Sequence, residues 1–104
     1  MSVMYNSPEH RADFSKRVER EPVYCRYLFD ELTVRLLALK YAYYIKNDNL
    51  ISDIGYDAIE KEWCMMGHVL GLLTYDDVSP CLDFDMRHPM ATKSIKLYES
   101  LKRR

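Results

Sequence analysis

Residues 42–63 read AYYIKNDNLISDIGYDAIEKEW, and they hold the side chains best suited to recognising a small ligand. Tyr43 and Tyr44 close one helical segment. Asp53, Tyr56 and Asp57 open the next, where offsets of three and four put them on one face of a single turn. A hairpin bringing the two helix ends together would make a small aromatic pocket carrying two carboxylates. Such a pocket suits a flat organic cation. A pyridinium can stack on tyrosine faces, because the ring quadrupole attracts positive charge. Carboxylates can accept hydrogen bonds from sugar hydroxyls and offset the cation's charge. Plain architecture accounts for the same residue types. Tyrosines at a helix end cover core with their rings and keep their hydroxyls wet, and an aspartate in a first turn is ordinary capping chemistry.

The elements that must position these groups are helical. Ser7-Pro8 opens a first, mostly charged helix to about Arg20, with Ala12, Phe14 and Val18 as its short apolar stripe. Glu21-Pro22 punctuates the chain. The spacing then predicts a long helix over Pro22–Lys46, with Leu28, Leu32, Leu36, Leu39 and Tyr43 on one face and Phe29 and Leu37 broadening it. Asn47-Asp48-Asn49 is a turn signal. Ser52 caps a third helix from Asp53 to about Leu73, with Ile59, Trp63, Met66, Leu70 and Leu73 recurring at four and three. Gly67 and Gly71 in that pattern either permit close packing or end the helix early. Thr74–Arg87 reads as a loop, and His88-Pro89 opens a last helix. No strand is legible. The expected fold is all-α: one helical domain over 1–104, built on an antiparallel helical hairpin with flanking N- and C-terminal helices.

Tyr43-Tyr44, Ile51-Ser52-Asp53 and Tyr56-Asp57 stand in the register of a known pattern. The stretch resembles the N-terminal helical domain (Ia) of bacterial NAD-dependent DNA ligases, which carries a pattern close to YYxxDxPxISDxEYDxLxxEL. Trp63 stands where the final Leu is usual, Asn47 for the Asp, Asn49 for the Pro and Gly55 for the Glu. Ser79-Pro80 and Phe84, Arg87, His88, Pro89 and Met90 are a fainter echo of the segments that follow the domain in that family. The resemblance implies that the chain binds the nicotinamide mononucleotide (NMN) half of NAD. Its contact residues would be Tyr43, Tyr44, Asp53, Tyr56 and Asp57. In the family this domain orients the mononucleotide as a leaving group while a lysine attacks the adenylyl phosphate. No KxDG lysine motif and no four-cysteine zinc site occur here, so the chain alone would not be a complete ligase and would carry no catalytic residue. The resemblance therefore implies a stand-alone or split-ligase accessory subunit in nick sealing, with the lysine on a separate adenylation-domain or ligase protein. The alternative is a non-catalytic interaction protein, phage-encoded for instance, whose acidic middle or basic tail docks a host ligase or replication protein.

The remaining candidates have simpler readings. Cys64 and His68 lie four apart on a helix, but two ligands do not make a structural zinc site, and no metal is expected. Asp76, Asp77, Asp83 and Asp85 read as a solvated acidic loop. Lys93, Lys96, Lys102, Arg103 and Arg104 complement a helix C-terminus. A length of 104 residues suits one core, and 48% hydrophobic with 30% charged residues is a globular balance. The formal net charge of −1 conceals an acidic middle, with nine acids and one lysine over 47–85, and a basic end. Direct nucleic-acid binding is therefore expected to be weak or absent. No apolar run is long enough for a membrane span, the opening residues lack a signal-peptide core, and three cysteines without a CxxC pair suit a reducing, cytoplasmic setting.

Overall fold

The computed structural model describes residues 8–48, 50–72 and 86–102. The order is α1 (Pro8–Arg20), α2 (Pro22–Lys40), a widened π-helical turn (Tyr41–Ile45) continuing α2, α3 (Asp53–Val69) and α4 (Ala91–Lys102). The protein is all-α, with no strand among the described residues. The cap at Ser7, the turn residue Asn49, Leu73, the 79–80 and 76–85 features and the terminal arginines lie outside the described residues.

Local chemistry explains the boundaries. Pro22 takes the first helical position of α2, where a missing N–H costs nothing. Ser52, extended at φ −69° and ψ 159°, caps α3 by accepting a hydrogen bond from the Gly55 N–H at 3.1 Å. α3 stops at Val69 rather than near Leu73, because Gly71 adopts the left-handed φ of +78° that closes a helix. α4 begins at Ala91, slightly later than its His88-Pro89 signal. The intervening turn is tied by the Met90 N–H donating to His88 Nδ1 at 3.1 Å.

α2 packs against α1, α3 and α4. That central position decides which of its residues are buried. Cys25, Phe29, Thr33, Leu36, Leu37, Ala38 and Lys40 are inside, while Leu28, Leu32 and Leu39 are only half-buried and Tyr43 is exposed. Of the expected face, Phe29, Leu36 and Leu37 are buried and Leu28 and Leu32 pack against the core from its flank; Cys25, Thr33 and Lys40 are added to it, since a helix covered on several sides does not keep a single stripe. Phe29 stacks on Trp63 with ring centroids 5.5 Å apart, and both join Leu36, Cys64, Met65 and Met66 in the core. The Trp63 indole N–H donates to Thr33 Oγ1 at 2.8 Å, and that hydroxyl donates to the Phe29 carbonyl at 2.8 Å. α1 buries no residue fully, with Phe14 and Val18 half-buried and Ala12 exposed. It reaches α3 through His10 to Glu62 at 2.7 Å and Arg11 to His68 at 3.1 Å.

Candidate functional site

A cleft of about 380 Å³ opens where the end of α2 meets the start of α3. Such a volume lies within the ~300–1,000 Å³ typical of small-ligand pockets. Tyr43, Tyr44, Asp53, Tyr56 and Asp57 all line it, joined by Leu39, Asp48, Leu50 and Ile51. The five residues singled out from the sequence are therefore neighbours in space.

The widened turn delivers the first two. In an α-helix, adjacent side chains diverge strongly. A π-turn closes its hydrogen bonds one residue further on and reduces that divergence. Lys46 N–H donates to the Tyr41 carbonyl at 3.1 Å, and Asp48 N–H to the Ala42 carbonyl at 2.8 Å. Asn47 between them takes φ +53°, a left-handed conformation that Asn tolerates better than most side chains. Tyr43 and Tyr44 then stand nearly perpendicular, with ring centroids 4.9 Å apart, and both keep about half or more of their surface open to water. The opposite wall comes from α3, whose first turn presents Asp53, Tyr56 and Asp57 beside the positive end of the helix.

Among the described residues, three carboxylates and no basic side chain line the cleft. Two of the three are shared with lysines at its edge. Asp57 pairs with Lys61 at 3.0 Å and Asp48 with Lys102 at 2.9 Å. Hydrogen bonds from Lys102 and Tyr98 hold the Asp48 carboxyl below its ordinary value. Tyr56 forms the cleft's inner wall. Its hydroxyl is buried, on the side of the Lys40 ammonium. Burial pushes the phenol up; nearby Lys40 counters this in part, while Glu60 and Tyr44 add to the rise. The group is thus a neutral donor at physiological pH.

Beneath Tyr56 lies a feature that sequence reasoning missed. Lys40 and Glu60 pair at 3.2 Å with side chains only 4% and 10% exposed, and the Lys40 ammonium sits 5.2 Å from the centre of the Tyr56 ring. Burial opposes the Lys40 charge, but the Tyr56 phenol and the Glu60 carboxylate outweigh it and hold the lysine above its ordinary value. A lysine among apolar residues on α2 and a glutamate three before Trp63 were the available signals.

Elsewhere, Cys25 and Cys64 are buried free thiols, and His68 meets Arg11. No group of three or more potential metal ligands occurs among the described residues. None of the described helices is long and apolar enough to cross a membrane. Comparison with models of known protein families, with curated proteins and with solved structures found no match.

Proposed function

We propose that this chain is an NMN- or NAD-binding helical module resembling the N-terminal domain of NAD-dependent DNA ligases. It would act as a stand-alone or split-ligase accessory subunit in nick sealing. The observation that carries the reading is the shared cleft: the five positions matching the family's motif line one hollow of mononucleotide size. Its chemistry fits the ligand's pyridinium and ribose. The half-exposed Tyr43 and Tyr44 rings offer aromatic surface to a pyridinium, and the acidic lining favours its positive charge. Asp53 and Asp57 can accept from ribose hydroxyls, and the Tyr56 ring closes the cleft behind them.

The mononucleotide, when held there, is the half of NAD that departs during adenylyl transfer. This chain's residues would bind and orient it, which is catalysis by positioning. The attacking lysine would come from a separate adenylation-domain protein, in a cytoplasmic setting that keeps the cysteines reduced.

Isothermal titration calorimetry with NMN, beside its reduced dihydro form, tests the reading. The two share ribose and phosphate and differ in the ring's positive charge. Binding of the oxidised form with clear preference over the neutral one is expected. No heat at millimolar ligand, with the protein folded by circular dichroism, overturns the proposal.

A further inference from the structure

Asp48 lines the cleft, yet its charge points to the last helix. One oxygen, Oδ2, accepts from the Tyr98 hydroxyl at 3.0 Å and from Lys102 Nζ at 2.9 Å, both on α4. The same Tyr98 ring meets Tyr41 edge-on, with centroids 5.4 Å apart. Tyr41 opens the widened turn that carries Tyr43 and Tyr44, so Tyr98 touches both ends of the segment that forms one wall of the cleft. Between those ends the backbone depends on Asn47 in the left-handed region, a conformation that local preference does not secure by itself. Tyr98 itself is only 8% exposed, seated where α4 packs on α2 and the turn.

We infer that Tyr98 and Lys102 are positioning residues of the binding site, holding Asp48 and the connection after α2 in the geometry that the ligand requires. The inference rests on the proposed mononucleotide reading for its ligand, but the clasp is a structural device that can be measured without one. Tyr98, Lys102 and Asp48 reinforce one another electrostatically. The hydrogen bond and charge of Asp48 hold Lys102 above its ordinary value, while burial and the Asp48 contact do the same for Tyr98. The arrangement also assigns the carboxylates different work. Asp48 faces α4, Asp57 is shared with Lys61, and Asp53 is left as the leading acidic contact for a bound cation.

A loosened connection would populate the binding geometry for only part of the time, and apparent affinity falls by that fraction. The test uses the full chain with Tyr98→Phe, Lys102→Gln, the double variant and Lys102→Arg, each titrated with NMN and followed by amide hydrogen exchange at Asp48. The expected result is an affinity loss of about five- to tenfold in the double variant, matching a competent fraction of that size. Lys102→Arg should restore binding, and Asp48 N–H protection should fall in parallel. Unchanged affinity would overturn the inference. So would tighter binding in Lys102→Gln, which would mean that the freed Asp48 carboxylate serves the ligand directly. If the wild-type chain binds no mononucleotide, the ligand reading falls and the exchange data decide the clasp alone: faster exchange of the Asp48 amide in the double variant supports it, and unchanged exchange overturns it.

Discussion

Replacing Lys40 with Met should be the most damaging single change near the cleft. Both members of the Lys40–Glu60 pair are almost wholly removed from water, at 4% and 10% side-chain exposure. Their 3.2 Å contact is therefore not screened as a surface pair would be. Lys40→Met leaves the Glu60 carboxylate buried without its partner, which costs about 3–5 kcal/mol. A domain of this size has about 5–15 kcal/mol in total, so about a fifth or more of its stability is at stake. The folded-state pKa of Lys40 is raised, so its contribution is fully present below the ordinary lysine value and fades only as pH rises through the folded one. Measurement at neutral pH therefore captures it whole. In urea, with a slope of about 1–3 kcal/mol per molar, the midpoint should fall by about 2 M. The double variant Lys40→Met/Glu60→Leu removes both charges and should recover most of the loss, because apolar replacement of a buried pair is often neutral or better. A single-variant cost below about 1 kcal/mol, the value of an exposed pair, would refute the reasoning. A double variant as unstable as the single one would refute it too.

Three further changes have defined outcomes. Thr33→Val removes the acceptor of the buried Trp63 indole N–H and should cost about 1–3 kcal/mol in urea unfolding. Because Trp63 is the only tryptophan, its fluorescence reports the transition directly. Asn47→Val forces a β-branched side chain into φ +53° and should destabilise by about 1–2 kcal/mol, whereas Asn47→Gly should be tolerated. Asp48 has a folded-state pKa held low by Lys102 and Tyr98, so its contribution is present above the ordinary carboxylate value and is lost as pH falls through the folded one. Wild-type urea midpoints should drop further between pH 7 and pH 2 than those of Asp48→Asn, and parallel curves would contradict the clasp.

The signals that were legible in the amino-acid order are those that act over a few residues. Ser52 before Asp53, Pro22 after Glu21 and the Asn47-Asp48 turn each work within three or four positions, and each boundary falls where such chemistry puts it. The placement of Tyr43 and Tyr44 beside Asp53, Tyr56 and Asp57 follows from the same short connection. What could not be read needs partners far along the chain. Lys40 meets Glu60 twenty residues away, and Asp48 meets Tyr98 fifty residues away. Neither residue type announces such a partner. The buried surface of α2 is legible only in part, through Phe29, Leu36 and Leu37, for a related reason. Periodicity finds one apolar face, but α2 is covered by three other helices, so Cys25, Thr33 and Lys40 go inside while Leu28 and Leu32 stay at the flank. The widened turn at Tyr41–Ile45 continues a helical pattern without interruption, and nothing in its composition distinguishes it from α-helix.

The most direct test of the cleft as a nicotinamide nucleotide site is a nuclear magnetic resonance titration of the full chain with NMN, following tyrosine ring and backbone amide signals. The exposed pair Tyr24 and Tyr27, stacked at 6.2 Å on the first part of α2, serves as an internal control for unspecific aromatic contact. Saturable shifts confined to the rings of Tyr43, Tyr44 and Tyr56 and the amides of Asp53 and Asp57 are the predicted result. Shifts centred on Tyr24 and Tyr27, or none at millimolar ligand, would contradict it.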